Sequence, residues 1–291
     1  MTAEKIRFER VGKTFAGQPL PGSRAPGLRF IALDDVSFSV GPGEFVTLVG
    51  PSGCGKSTLI DLLGGLTTPS SGRILLDGRP ITGPALDRGV VFQQYALFPW
   101  RTAQGNIEFG LEAKGVKARE RRDIAREHLE LVGLGSFADR YPHELSGGMK
   151  QRVAIARSLA YNPDVLLMDE PFAALDAQTR EDLQGELLRI WRKTGKTVLF
   201  ITHGIDEAVV LGQRVLIMSA RPGRILETIA VPPALHGGDE DVRSLALFGE
   251  VRHQVWSLLR DEVRKAQAAQ AGARPPASPI AADTAVTTLA G

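Results

Sequence analysis

An α/β fold is predicted: a core of buried strands in a mixed sheet, an antiparallel β portion, and an inserted helical subdomain. Three observations predict it. "EFVTLVG", "VLLMDE" and "TVLFITH" are short apolar runs ending in polar groups. That is the pattern of parallel strands buried on both faces, with chemistry at their carboxyl ends. Helical patterns separate these runs. The first of them leads directly into "GPSGCGKST", residues 50 to 58, and then into the helical stretch "STLIDLLGGL".

Taken in chain order, "MTAEKIRFER" is charged and lacks the apolar core of a signal peptide. "KIRFERV" and "IALDDVSFSV" alternate apolar and polar residues, as half-buried strands do. Between them, "AGQPLPGSRAPG" is Gly/Pro-rich and reads as a flexible loop. Residues from about 95 to 160 are mostly helical in pattern, "KARERRDIAREHLELVGL" being the clearest amphipathic piece, and are expected to form the inserted subdomain. "TREDLQGELLRIWRKTG" places Leu183, Leu187, Ile190 and Trp191 on one face and stops at a glycine. A further amphipathic helix is expected over residues 242 to 263, through Leu245, Phe248, Val251, Val255, Leu258 and Leu259. Residues 5–265 are thus read as the folded domain. The Ala/Pro-rich stretch 266–291 has few large apolar residues to offset the entropy of ordering and is expected to be disordered.

Composition narrows the function. Hydrophobic residues make up 43% of the 291, enough for a packed core. A net charge of +2 gives no basic footprint and argues against a nucleic-acid binder. The single cysteine allows no internal disulfide, and a reducing cytosol fits. No run approaches the roughly 18 to 20 apolar residues of a membrane span.

The spacing Gly50, four residues, Gly55, Lys56, Ser57 is the phosphate-binding P-loop pattern. Glycines allow backbone N–H groups to converge on an anion, and the helix starting near Lys56 aims its positive dipole end at the same place. Gly50, Pro51, Ser52, Gly53, Cys54, Gly55, Lys56, Ser57 and Thr58 are therefore read as holding a nucleotide, with Lys56 on the β- and γ-phosphates and Ser57 on Mg²⁺. Cys54 could serve as a redox switch, or simply be a small residue in a tight loop. Asp169 and Glu170 close an apolar strand; the first carboxylate suits orienting a metal and the second polarising an attacking water. "LSGGMKQR" places Ser146, Gly147 and Gly148 at a helix start, a second anion site built like the first. One nucleotide needs one P-loop, so the second site is expected to serve the nucleotide of another molecule.

These stretches together resemble the nucleotide-binding subunit of an ABC transporter, over roughly residues 5 to 260. "GPSGCGKST" resembles Walker A, "VVFQQYALFPW" the Q-loop, "LSGGMKQR" the signature and "VLLMDE" Walker B. "AALD" resembles the D-loop and "FITHG" the switch-histidine segment. The resemblance implies a RecA-like P-loop NTPase core, ATP and Mg²⁺ as ligands, Glu170 as catalytic base, and Gln93 touching the metal and reporting to the membrane partner. It implies His203 bracing the γ-phosphate and an aromatic stacking on adenine, Phe15 with Phe30 as its rival. It also implies that Phe98, Pro99 and Trp100 take part in docking to the membrane subunit. Two positions depart from the family: Gly204, where an aspartate is usual, and Ala173, where Ser or Gly is usual. "ITGPALDRGVVFQ", "LFPWRTAQGNI" and "SARPGRILE" resemble importer ATPases for nitrate, aliphatic sulfonates and taurine. That kinship implies a head-to-tail dimer of this chain, integral membrane permease subunits, an extracytoplasmic solute-binding protein, and a peripheral place on the cytoplasmic face of the inner membrane. The single cassette without heptads sets it apart from soluble ABC proteins, and the absence of an Asn-Lys-x-Asp motif from GTPases.

Overall fold

The computed structural model describes residues 4–16, 29–236 and 242–272. Most of the Gly/Pro loop, and the end of the Ala/Pro-rich stretch, lie outside these residues.

Two sheets form the core. Strands β1 (Ile6–Ala16), β2 (Arg29–Val40), β4 (Ser71–Leu76) and β5 (Arg79–Pro80) make an antiparallel sheet in the order β2-β1-β4-β5. The second sheet has six strands. These are β3 (Phe45–Val49), β6 (Arg88–Val91), β7 (Val165–Asp169), β8 (Thr197–Thr202), β9 (Arg214–Met218) and β10 (Ile225–Ala230), ordered β10-β9-β3-β8-β7-β6. All its pairings are parallel except the antiparallel edge strand β10. Every residue of β3 and β8 is buried, as expected of strands covered on both faces. Thr47, the polar exception in β3, is satisfied: its hydroxyl donates to Ala208 O at 3.1 Å.

Three apolar clusters flank the large sheet. In one, α1 (Lys56–Leu63) wedges Leu59, Ile60, Leu62 and Leu63 between the two sheets, against Val46, Leu48, Leu167 and Leu199 on one side and Phe8, Val11 and Val36 on the other. A second joins the large sheet to α2 (Ala103–Ala113), α3 (Ala118–Leu131), α4 (Gly147–Ala160) and α5 (Ala177–Thr194). The first three of these helices lie in the chain between the paired strands β6 and β7, where the inserted subdomain is expected. In α5, Leu183, Leu187 and Ile190 are buried as the periodicity requires. Asp176 caps its start by accepting from Thr179 N, and Gly195 ends it in a left-handed conformation. The third cluster sets α6 (Ile205–Leu211) and α7 (Ala246–Gly272) against β9.

Helix α7 differs from its sequence expectation at both ends. It starts at Ala246, after a 3-10 turn over Val242–Ser244, and runs on through Gly272, past the expected start of disorder at residue 266. Phe248, Val251, Val255 and Leu259 anchor its first half in the core. Deleting residues 273–291 should therefore leave the thermal midpoint unchanged, whereas ending the chain before Val251 should lower it by several degrees. Paired melting curves of the two truncations check this.

The turn before α2 presents an aromatic surface. Trp100 is 71% exposed, and the Phe98 ring packs 4.6 Å from Phe109 and 5.5 Å from Trp100. Buried Asn106 shapes the turn: its Oδ1 accepts from Phe98 N at 2.8 Å, and its Nδ2 donates to Phe98 O, Arg101 O and Thr102 O. Asn106 lies within the "LFPWRTAQGNI" stretch, but its part in the turn emerges only in the fold.

Candidate functional site

The P-loop lies where β3 leaves the sheet. Gly53 and Gly55 have φ of 74° and 111°, a region closed to most residues with a Cβ. A Cβ on Gly55 would stand 2.7 Å from Leu33 Cδ2, so the loop is pressed against β2. Cys54 is buried beneath it, and burial pushes its thiol up, away from the reactive thiolate. The small-residue reading fits this placement better than a redox switch.

Lys56 is 7% exposed, and its ammonium donates to Gly50 O at 2.9 Å and Pro51 O at 3.1 Å. It also lies 3.9 Å from Glu170 Oε1. Glu170 follows β7 with φ of 45°, a left-handed conformation that costs a non-glycine residue and is held here by its N–H donating to Ile201 O. That turn aims the carboxylate sideways: its Oε2 lies 3.0 Å from Nδ1 of His203, which is 61% exposed on the loop after β8. The neighbouring strands β3, β8 and β7 thus deliver Lys56, His203 and Glu170 to one edge of the sheet.

Asp169 hydrogen-bonds the Ser57 hydroxyl, and burial raises its pKa. A hydroxyl beside a desolvated carboxylate is a hard oxygen pair suited to Mg²⁺. Among the described residues no group of three or more His, Cys, Asp or Glu could hold a metal unaided. The donors therefore fit an ion that takes its remaining oxygens from phosphate and water. Gln93 is exposed two residues beyond β6, which pairs with β7 and so ends at the same sheet edge.

Phe15 and Phe30 prove to be cross-strand partners, with ring centroids 6.2 Å apart. Arg221 covers the Phe30 ring at 3.8 Å, while Phe15 is 40% exposed. The same guanidinium reaches within 3.9 Å of where a Cβ on Gly53 would stand, joining the aromatic pair to the P-loop. Arg221 lies within the "SARPGRILE" stretch, but its place beside the P-loop emerges only in the fold.

Ser146 caps α4 by accepting from Met149 N at 3.3 Å. A Cβ on Gly148 would meet Thr179 Cγ2 at 2.7 Å, so α4 begins packed against the first turn of α5. Two clefts adjoin the Glu170–His203 pair, of about 440 and 590 Å³, and neither is lined by Ser146, Gly147 or Gly148. Helix α1 packs on one face of the large sheet and α4 on the other, so within one chain the second anion-type helix end stands apart from the first. At the two positions that depart from the family, Gly204 N–H donates to Thr202 Oγ1 at 2.9 Å and Ala173 N–H donates to Glu170 O at 3.2 Å, so both backbone donors are satisfied.

The ABC transporter family profile matches residues 33–173. An uncharacterized ABC transporter ATP-binding protein of Methanocaldococcus jannaschii is 52% identical over 261 residues, 90% of this chain and 93% of that protein. The chain belongs to the ABC transporter ATP-binding family. This ABC ATPase is also 54% identical over 235 residues to the nitrate import ATP-binding protein NrtD of a Synechocystis strain, covering 80% of this chain and 86% of the relative. The taurine import ATP-binding protein TauB of Rhizobium johnstonii is 50% identical over 232 residues, 78% of this chain and 88% of the relative. Among solved structures, the dimeric post-hydrolysis state of the ATP-binding cassette MJ0796 with ADP and Pi superposes with a TM-score of 0.67 at 34% identity, over 78% of this chain and 99% of that one.

The cassette's described helices include none long and apolar enough to cross a membrane.

Proposed function

We propose that this ABC ATPase is the energy-coupling subunit of an importer for a small anion such as nitrate, taurine or an aliphatic sulfonate. The separation of the two anion-type helix ends, α1 behind the P-loop and α4 behind Ser146, is the observation that carries the coupling part. Two copies placed head to tail bring Ser146, Gly147 and Gly148 of one protomer to the nucleotide held by Gly50–Thr58 of its partner. The dimeric relatives support this arrangement, and the nitrate and taurine names of the relatives support the cargo class.

Within each site, Lys56 holds the β- and γ-phosphates and Phe15 stacks on adenine. Glu170 takes the proton of the attacking water; its bond to His203 Nδ1 fixes both side chains, leaving the imidazole to brace the γ-phosphate. Ser57, Asp169 and Gln93 would hold Mg²⁺, which neutralises phosphate charge when bound. The aromatic surface of Phe98 and Trp100 supports docking to integral membrane permease subunits at the cytoplasmic face. An extracytoplasmic solute-binding protein completes the system indirectly.

Affinity purification of the tagged chain from membranes should recover a multi-span permease, and vesicles carrying both should take up one of these anions only with ATP. Recovery of ribosomal or DNA-repair partners without a permease would overturn the importer reading.

A further inference from the structure

A chain of polar side chains holds the His203 loop from behind; "FITHG" contains its Thr202 end, and the rest lies outside that motif. Gly204 N–H donates to Thr202 Oγ1 at 2.9 Å, closing a tight turn around His203. The Thr202 hydroxyl donates onward to Glu207 Oε2. The other Glu207 oxygen accepts from Gln184 Nε2 at 3.0 Å, and Gln184 Oε1 accepts from Arg243 Nη2 at 2.9 Å. Gln184 is only 3% exposed. Arg243 belongs to the 3-10 turn that leads into α7, where it also pairs with Glu181 at 3.4 Å.

The donors and acceptors allow one polarity. Thr202 has a single proton, and because Gly204 already donates to its oxygen, that proton goes to Glu207. Ionised Glu207 accepts on both oxygens. Gln184 is therefore oriented with its nitrogen toward a carboxylate and its oxygen toward a guanidinium. The chain runs from cation to anion without a mismatch and ends at the residues on either side of His203. An imidazole as exposed as this one gets little orientation from packing, so beyond its bond to Glu170 the backbone beneath it has to supply it.

We infer that Gln184 and Glu207 are positioning residues for His203, and that Arg243 fastens them to the C-terminal helix α7. The inference rests on the assignment of His203 to the γ-phosphate. It makes the conformation of the switch loop depend on an element remote from the nucleotide.

Reversing the polarity tests it in the full-length chain. Glu207→Gln should lower kcat about tenfold and change KM for ATP little, because the P-loop holds the nucleotide. Gln184→Glu alone should lower kcat similarly, since it sets two carboxylates face to face. The double variant restores a matched chain. The new carboxylate at position 184 accepts from Arg243 and from the new amide at position 207, and the oxygen of that amide accepts from Thr202. Its kcat should return to within about twofold of the parent. Two merely structural lesions would instead add, and thermal midpoints of all three variants show whether each is folded. A double variant no faster than the slower single, or a Glu207→Gln chain with parental kcat, overturns the inference. Arg243→Met should lower kcat by a smaller factor, about threefold, and an unchanged rate would sever the link to α7. His203→Ala separates the two levels. If it turns over normally, the γ-phosphate assignment has failed; if it is inactive while Glu207→Gln is not impaired, the positioning chain alone has failed.

Discussion

Glu170→Gln is expected to bind ATP as tightly as the parent chain and to hydrolyse it at least about 100-fold more slowly, the scale of a lost general base. Glu170 sits at φ of 45° between the Lys56 ammonium at 3.9 Å and His203 Nδ1 at 3.0 Å. Glutamine fills the same volume and can still accept from the imidazole, but it cannot take a proton from water. Binding depends on the P-loop, which the substitution leaves alone. ATP should then hold two protomers together without release, visible as an ATP-dependent dimer on gel filtration. A near-parental hydrolysis rate would move the base elsewhere.

The second large effect comes from mixing two inactive chains. Lys56→Ala removes a buried cation whose charge-assisted bonds to phosphate are worth about 1.5–3 kcal/mol, so ATP affinity should drop about ten- to a hundredfold. Ser146→Arg places a bulky cation at the start of α4, the end proposed to face the partner's phosphate. Each chain alone should be inactive. In a mixed dimer with composite sites, one site carries both lesions and the other neither, so mixing should restore partial ATPase activity. If Ser146 served its own chain's nucleotide, each site would carry one lesion and nothing would be rescued. Crosslinking confirms that mixed dimers have formed.

Strands buried on both faces were legible because their sequences are continuously apolar, and the phosphate-binding segments because their residues are contiguous. Helix α7 was legible only where its apolar face is anchored. Beyond Leu259 the sequence loses large apolar residues, which reads as disorder, yet Ala, Gln, Lys and Arg propagate a helix readily once a packed segment has nucleated it. The left-handed turn at Glu170 could not be read, because it depends on the bond from its N–H to β8. The contacts of Arg221 with Phe30 and the P-loop, and the Gln184–Glu207–Thr202 chain, join residues far apart in sequence. No local pattern records them. The choice between Phe15 and Phe30 stayed open for the opposite reason: the two face each other across one ladder, with Lys13 over the Phe15 ring and Arg221 over the Phe30 ring.

The close fit of Gly148 against Thr179 has a mechanical meaning. From Glu170 the chain turns through residues 171–175, tied by Ala173 N–H to Glu170 O and by Leu175 N–H to Phe172 O, and enters α5 beneath its Asp176 cap. With no side chain on Gly148, α4 sits directly on the Thr179 methyl of that first turn, so the end bearing Ser146 and the turn that carries Glu170 are joined as one yoke. In a head-to-tail pair, one end of the yoke grips the partner's nucleotide while the other end addresses the protomer's own. In the proposed head-to-tail dimer, two such yokes, crossed, would make a clasp whose closing at one nucleotide is coupled to closing at the other.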